Sequence, residues 1–265
     1  MARSKKRRPS DLVAAIVPPL VTLVMVLASW EIVVVALQLP AFLLPPPSAI
    51  LRAALSDAPL LASALLTTAE GALAGFLLSA VLGSAAALVL GLSRTLERGL
   101  YPYALFLQTV PIVAVAPLLV LWFGPGLRAV AVSAFIVSVF PVIANTLAGL
   151  HSADPRLADL FRLYGAGPLD TLFKLRLPFA LPQIASGLRV SSGLAVIGAI
   201  VGEFVAGFSE GHAGLGITVL AAYRQLRTDL LFAAVLCASL LGLSLFMLVN
   251  LASAAVLRHF RHLAR

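Results

Sequence analysis

Six long apolar runs are the feature of this sequence that most restricts its fold. They cover residues 12–37, 62–91, 103–123, 128–150, 180–206 and 231–257. Each has the ~20 apolar residues that a helix needs to cross a hydrocarbon core of about 30 Å. Of the 265 residues, 61% are hydrophobic and 11% are charged, and the mean hydropathy is +1.04. Backbone groups in lipid must be hydrogen-bonded within the chain, and barrel-type alternation is absent, so the runs predict an all-α integral membrane protein with six transmembrane helices.

Prolines predict bends in two of these spans. Pro111 and Pro117 fall in the third run and Pro141 in the fourth, and each removes a helical hydrogen bond. After the first run, three consecutive prolines at 45–47 predict an extended turn. Ser48 follows them and is expected to supply the N-cap of a short amphipathic helix.

The positive charges predict how the chain is oriented in the membrane. Fourteen of the 19 Lys and Arg residues lie in the two tails, in the loop after the second run and in the loop after the fourth. The positive-inside rule therefore places the tails, residues 1–11 and 258–265, in the cytoplasm, with a transmembrane domain over 12–257. The first run is too long for the apolar part of a signal peptide, so it is expected to remain as a span. The net charge of +8 is explained by this orientation, and no nucleic-acid binding is expected.

Patterns of catalytic chemistry are absent from the sequence. No GxxxxGKS or GxxxxGKT loop, no HExxH and no Cys–His cluster occurs, and the four histidines are scattered. The single cysteine, Cys237, lies inside an apolar run. We therefore expect no catalytic residue, metal site or other cofactor on this chain.

A polar island, DLFRLYGAGPLDTLFKLRLP at 159–178, separates the fourth and fifth runs. Apolar residues at helical spacing lead to Gly165, which can take the left-handed conformation that ends a helix, and Pro168 suits the first turn of a second short helix. Leu169, Leu172 and Phe173 give that second helix an apolar stripe. Short helices with exposed apolar residues need a partner, which is either a cytoplasmic protein or the membrane surface.

The island resembles the EAA loop of ATP-binding-cassette (ABC) importer permeases. That loop has E-A-A, three residues, Gly, nine residues, then I-x-L-P. Here nine residues separate Gly165 from Leu175-Arg176-Leu177-Pro178, while Asp159-Leu160-Phe161 stands in place of E-A-A. Other segments are similar to the branch that serves nitrate, sulfonates, taurine and thiamine-precursor pyrimidines; they are Trp30-Glu31 with LPAFLLPPPSAI, then 108–124, 140–150, 187–207 and 214–216.

The resemblance implies a type I ABC importer permease fold with a cytoplasmic coupling loop over about residues 151–180. It implies a homodimer in contact with lipid in a bacterial inner membrane, two cytoplasmic ATPase subunits that bind ATP and Mg, and an extracytoplasmic solute-binding protein. Residues 166–173 would insert into the ATPase. The coupling residues that the resemblance indicates are Asp159, Gly165, Ala166, Gly167, Asp170, Leu172, Phe173 and Pro178.

Polar residues in the apolar runs are candidates for a translocation path. Glu31, Glu70 and Glu203 should face the protein interior or water, because an ionised group in lipid is costly. Glu203 is expected beside the outer gate, about 14 residues from Arg189 along the same helix and too far for pairing. The path candidates are Gln108, Thr109, Ser138, Asn145, Ser191, Ser192 and Glu203. Serines and threonines at such positions also serve helix packing. His212 could contact a binding protein or simply lie in a solvated loop.

Three functions remain open from the sequence. The first is a permease for a small polar solute, with a thiamine-precursor pyrimidine or similar heterocycle ahead of a sulfonate, taurine or nitrate. The second is an ion-coupled secondary transporter or channel that uses the intramembrane carboxylates. The third is a membrane scaffold whose island anchors a cytosolic partner.

Overall fold

The computed structural model describes residues 9–206 and 213–263, with side chains described from 17 to 258 outside that gap. The predicted N-terminal tail up to residue 8, His212, and residues 264–265 lie outside the described part. Within it every regular element is helical. The helices are α1 (Pro9–Ala36), α2 (Pro47–Ser56), α3 (Ala58–Gly91), α4 (Arg94–Thr109), α5 (Ile112–Phe123), α6 (Leu127–Leu150), α7 (Pro155–Leu163), α8 (Pro168–Ala206), α9 (Leu215–Arg224) and α10 (Thr228–Leu263).

Five of these helices are long and apolar enough to cross a membrane, namely α1, α3, α6, α8 and α10. The pair α4–α5 makes up to six when it is counted as one broken span. The all-α membrane architecture predicted from the apolar runs is therefore confirmed.

The third span, predicted over 103–123 with a bend at its prolines, is broken into two helices. Helix α4 begins at Arg94, and the chain bends by 98° between α4 and α5. Val110 and Pro111 are extended, with ψ of 123° and 110°. Pro111 disfavours helical backbone at the residue before it and has no N–H of its own, which explains a break at this point. Pro117 and Pro141 lie inside continuous helices.

The island does not contain a separate second short helix, so that expectation was wrong. Residues from Pro168 onward form the first turns of α8, which continues to Ala206. The turn Thr171–Arg176 is π-helical and directly precedes Pro178. A proline ring clashes with the carbonyl four residues earlier, and a widened π turn gives it room without ending the helix. The island is thus rigidly continuous with a transmembrane helix.

Ser48 does not cap α2 with its side chain, contrary to the sequence prediction. The N-cap is Pro46, and Ser48 lies inside the first turn. Its hydroxyl donates to Oε1 of Glu31 at 2.7 Å, and its backbone N–H donates to Oε2 at 3.0 Å. A carboxyl group from α1 therefore satisfies the open N–H at the start of α2, which is how α1 is fastened to the next helix.

Helices α6 and α8 form the centre of the molecule, and α3 packs beside them. A Cβ built on Gly187 of α8 would lie 2.8 Å from the Cβ of Asn145 and 2.9 Å from the carbonyl oxygen of Pro141, both on α6. Small residues at such a crossing let two helix backbones approach closely. Buried apolar residues of α3, α6 and α8, among them Phe76, Val130 and Val196, fill the space between the three helices. Helix α1 lies at the periphery, with most of its side chains exposed.

Candidate functional site

The predicted turn of the coupling loop has the geometry of a Schellman C-cap. Asp154 is the N-cap of helix α7, and its carboxylate accepts a hydrogen bond from the N–H of Arg156 at 2.9 Å. Beyond the last helical residue, Leu163, the chain turns at Gly165, which has φ of +74°. The N–H of Gly165 donates to Arg162 O, and that of Ala166 donates to Phe161 O, both at 3.0 Å. The left-handed conformation that the sequence predicts for Gly165 is confirmed, and it satisfies the last carbonyls of α7.

Large apolar side chains are exposed on both sides of this turn. Leu163 and Tyr164 are each 84% exposed, Leu169 is 59% exposed and Phe173 is 53% exposed. Leu172 and Leu175 face the other way and are buried. Leu172 packs with Leu150 and Ala180 at the ends of the transmembrane helices. Leu172 thus anchors the segment, while its apolar neighbours Leu169 and Phe173 are exposed.

The other predicted coupling residues lie along the same segment. Asp159 forms an ion pair with Arg162 at 3.2 Å, and Asp170 pairs with Lys174. Ala166 and Gly167 are half-buried next to the turn, whereas Pro178 is exposed on α8. The structure therefore brings the predicted coupling residues to one end of the molecule. Their role in ATPase coupling remains a prediction.

Glu203 lies in a buried polar cluster between α3, α8 and α9. Its Oε1 accepts a hydrogen bond from the hydroxyl of Thr68 at 2.7 Å, and its Oε2 accepts one from the N–H of Gly216 at 2.7 Å. Thr68 Oγ1 in turn accepts from the N–H of Leu215 at 2.8 Å. Because α9 begins at Leu215, these bonds satisfy two of the open N–H groups at its N-terminus. Glu203 therefore fastens α9 to the transmembrane helices.

The segment GLG at 214–216 allows the chain to lie directly on this carboxyl group. A Cβ built on Gly214 would fall within 2.5 Å of the carboxyl carbon and both oxygens of Glu203. Glu203 and the GLG segment each stand out in the sequence, but no local pattern links them. Thr68 is not among the predicted residues, because a threonine in an apolar run gives no signal of its partner.

Three of the predicted path serines are fully buried and take part in helix packing. The Ser138 hydroxyl lies 2.6 Å from that of Ser79 on α3. Ser191 donates to the carbonyl oxygen of Ser138 at 2.7 Å, which joins α8 to α6. Ser192 donates to Arg189 O in its own helix at 2.7 Å. In this conformation the hydroxyl groups of Ser138 and Ser191 bond to other helices, whereas that of Ser192 bonds within α8.

Gln108 and Thr109 have a different environment, because both are exposed at the end of α4 beside the Val110–Pro111 break. Thr109 Oγ1 donates to Phe106 O at 2.7 Å. Asn145 is half-buried and donates to Pro141 O at 2.8 Å. Arg189 contacts Asn250 on α10 at 3.1 Å, so it is not the partner of Glu203.

A cavity of about 540 Å³ opens beside Glu203 at the end of the molecule that carries α9. Its polar lining includes Ser63, Thr67 and the exposed Glu70, together with the edge of Glu203. Among the described residues, no group of three or more His, Cys, Asp or Glu could hold a metal ion.

Comparison with known proteins decides the family. Residues 79–262 match the family described as "Binding-protein-dependent transport system inner membrane component". The chain belongs to this family. The permease is 36% identical over 232 residues to a probable ABC transporter permease protein of Haemophilus influenzae, covering 88% of this chain and 93% of the relative. It is 35% identical over 241 residues to the riboflavin transport system permease protein RibX of Chloroflexus aurantiacus, covering 90% and 88%.

Two further comparisons extend this result. The permease is 34% identical over 229 residues to the formylaminopyrimidine transport permease protein ThiX of Halalkalibacterium halodurans, covering 85% of this chain and 88% of the relative. Its fold is similar to that of a chain in inward-facing structures of the MetNI methionine ABC transporter. That match has a TM-score of 0.62 and 19% identity, and it covers 76% of this chain and 96% of the other.

Family membership settles the general role of the permease. It is a multi-pass, non-catalytic membrane subunit of an ABC importer for a small solute. The family carries no cofactor, and ATP is bound by a partner ATPase. A solute-binding protein is the other partner that the family implies. Of the three functions open from the sequence, the ABC permease is therefore the correct one.

Proposed function

We propose that this permease forms a homodimer that imports a small heterocyclic solute, such as a thiamine-precursor pyrimidine, through a path along the dimer interface. Both termini lie in the cytoplasm, in a bacterial inner membrane, and two ATPase subunits dock on the coupling loop at about 151–180. The exposed apolar surface around Gly165, held on buried Leu172 and Leu175, is the observation that carries this proposal.

The rigid attachment of this surface supports a coupling role. Leu169 and Phe173 are on the first turns of α8, the same helix that reaches Glu203 and the α9 cluster at the opposite end. Movement of a docked ATPase is therefore passed along one continuous helix to the far side of the membrane. Rigid-body movement of this kind is a common way for a small local displacement to become a large change.

The broken span α4–α5 supports a dimeric path. No residue of α4 is buried, and extended backbone at Val110–Pro111 interrupts the span near its middle. Non-helical backbone at membrane depth is tolerated only where protein covers it or water fills a cavity. A second permease copy facing the break would cover this backbone and would enclose a water-filled path beside it. Gln108 and Thr109 would then line the path, and Asn145 lies on α6 of the same core.

The relatives support a heterocyclic solute. RibX and ThiX, named for riboflavin and formylaminopyrimidine, each match over at least 85% of this chain. Both solutes carry a nitrogen heterocycle with hydrogen-bonding groups. The carboxyl group of Glu70 and the hydroxyls of Ser63 and Thr67, which line the outer cavity, would pair with such groups as the solute enters.

A reconstituted importer tests the proposal. The permease, its ATPase and its binding protein are placed in liposomes, and ATP hydrolysis and uptake are measured with formylaminopyrimidine, riboflavin and taurine. We expect a pyrimidine to stimulate both ATP hydrolysis and uptake, and stimulation by taurine alone would contradict the solute class.

The variant Gly165→Arg should uncouple ATP hydrolysis from uptake in the same liposomes. A non-glycine residue is strained at φ of +74°, and the long cationic side chain would occupy the docking surface.

Gly99→Arg is the matched control for this variant. Gly99 lies on α4, and a Cβ there meets nothing within 4 Å. We expect normal coupling in this variant, with both proteins present in the membrane at wild-type levels. Normal transport by Gly165→Arg would show that the coupling surface is assigned wrongly.

A further inference from the structure

A second cavity, of about 430 Å³, lies between α4 and the coupling segment. Four guanidinium groups line it, and they come from three elements: Arg94 and Arg98 from α4, Arg162 from α7 and Arg176 from α8. Glu97, His151 and Asp159 complete its charged and titratable lining. Of these residues, only Asp159 is among the predicted coupling residues, and no role has been assigned above to the four arginines.

The positive charges in this cavity exceed the negative ones. Asp159 is paired with Arg162, and Glu97 contacts His151 Nε2 at 3.1 Å. Arg176 is held by a hydrogen bond from its Nη1 to Gly91 O at 3.1 Å. Neither Arg94 nor Arg98 forms an ion pair with any residue of the described part of the chain. The cavity therefore has an excess of positive charge that favours the binding of an anion.

The position of the cavity indicates where the anion comes from. Leu150, the last residue of the transmembrane helix α6, lines the cavity, and Gly91, the last residue of α3, accepts the hydrogen bond from Arg176. We infer from these two helix ends that the cavity lies near the end of the hydrocarbon region, close to the lipid phosphates. Arginine binds phosphate with two parallel N–H bonds and keeps its charge at any physiological pH.

We propose that this cavity is a phosphate-binding site at the membrane surface. Arg94 and Arg98 bind the phosphate group, and Arg176, oriented by Gly91, closes the site from the side of α8. A bound phosphate bridges α4 and the coupling segment, so its occupancy stabilises their relative position. The phosphate belongs either to an anionic lipid or to a soluble phosphate ion. The site does not depend on which solute is transported.

The test uses the purified full-length permease in detergent. It is titrated with short-chain phosphatidylglycerol, with phosphatidylcholine and with millimolar inorganic phosphate, and binding is read from thermal unfolding and from lipid retained in native mass spectrometry. Binding of phosphatidylglycerol that inorganic phosphate does not displace identifies a lipid. Binding of inorganic phosphate alone identifies the soluble ion.

Variants connect this binding to the cavity. The double variant Arg94→Gln, Arg98→Gln should bind the phosphate ligand about tenfold or more weakly, because two charged hydrogen bonds are lost. Arg98→Lys should be intermediate, since it keeps the charge and loses the planar fork. Arg156→Gln is the matched control, because Arg156 is exposed on α7 and does not line the cavity.

Three outcomes would overturn the proposal. The first is equal binding by the wild type and the double variant. The second is that the wild type binds neither phosphate source. The third is an equal loss in Arg156→Gln, which would indicate diffuse charge attraction. Should the double variant fail to fold, Arg98→Gln alone is compared with Arg156→Gln by the same criteria.

Discussion

The carboxyl group of Glu203 joins three helices that are far apart in the sequence. Its partner Thr68 is 135 residues away on α3, and Gly216 lies in the first turn of α9. A buried hydrogen bond of this kind stabilises modestly when it is made, but losing one partner costs the full desolvation of the other. We therefore see Glu203 primarily as a structural acceptor whose edge also faces the outer cavity.

Glu203→Gln tests this role. The amide nitrogen cannot accept a hydrogen bond, so either Thr68 or the Gly216 N–H loses its acceptor. We expect the free energy of unfolding to fall by about 1–3 kcal/mol, measured by denaturation in detergent. Glu70→Gln is the control, since Glu70 is exposed and should leave stability unchanged. A Glu203→Gln permease as stable as the wild type would refute the structural role.

Asp57 and Arg227 form a second link at the same end of the molecule. Arg227 Nη2 donates to Asp57 Oδ2 at 2.7 Å and so connects the start of α3 to the start of α10. This hydrogen bond, against a smaller opposing effect of burial, holds the pKa of the Asp57 carboxyl below its ordinary value, and it raises the pKa of Arg227.

The lowered pKa of Asp57 predicts acid sensitivity. The pair stabilises the fold at any pH above the ordinary Asp pKa of about 3.9, and this contribution disappears as the pH falls through the lower folded-state pKa. Both side chains are partly exposed, so we expect no more than about 1 kcal/mol. Asp57→Asn should melt below the wild type at neutral pH and should match it in strong acid. A difference that persists unchanged in acid would contradict the assignment.

The close crossing of α6 and α8 determines how the transmembrane core is assembled. Gly187 has no room for a side chain against Asn145 and Pro141, whereas a Cβ on Gly193 of the same helix meets nothing within 4 Å. The two glycines are alike in sequence context and differ only in what faces them. This makes them a matched pair for measuring the crossing.

Replacing each glycine by alanine should have opposite effects. Gly187→Ala forces α6 and α8 apart and should destabilise the permease by roughly 1–3 kcal/mol. Gly193→Ala should stabilise it by up to ~1 kcal/mol, because alanine favours the helix. Thermal unfolding of the two variants side by side provides the measurement. Equal shifts would show that the close approach at Gly187 does not limit packing.

The coupling segment and the α9 cluster lie at opposite ends of the bundle, joined by α8. This arrangement predicts that the two ends face different compartments, with the coupling segment in the cytoplasm by the positive-inside rule. The charge count supports this orientation, and the exposed apolar turn lies at the end that it assigns to the cytoplasm. This orientation requires that the broken pair α4–α5 crosses the membrane once, so that the spans on either side of it alternate in direction.

Cysteine labelling tests the orientation. In a Cys237→Ala background, Gln225→Cys near the end of α9 should react with a membrane-impermeant maleimide in intact cells. Tyr164 is 84% exposed at the coupling turn. The variant Tyr164→Cys should therefore react only after the membrane is opened. Labelling of Tyr164→Cys in intact cells would place the coupling segment outside and invalidate the proposed ATPase docking.

Local features were predictable from the sequence to a useful extent. The Gly165 turn followed from one glycine with helical spacing before it, and the presence of the apolar spans followed from hydropathy, although α4 begins at Arg94 and α8 at Pro168, before the predicted runs. Pro111 indicated a bend, although its size was not predictable, because other prolines such as Pro117 and Pro141 are absorbed into helices. The continuity of α8 through Pro178 was missed, because a π turn depends on the packing of Leu172 and Leu175 beneath it.

The sequence alone determined that this chain crosses the membrane several times, that it has a glycine turn between two spans, and that it resembles a permease. These properties follow from apolar runs, charge distribution and short motifs, each of which is local along the chain. Only the tertiary structure decided that Glu203 holds α9, that Ser138 and Ser191 join helices, and that Arg94, Arg98 and Arg176 share one cavity. Such contacts depend on which helix faces which, and that is determined by the close packing of three central helices rather than by any single segment.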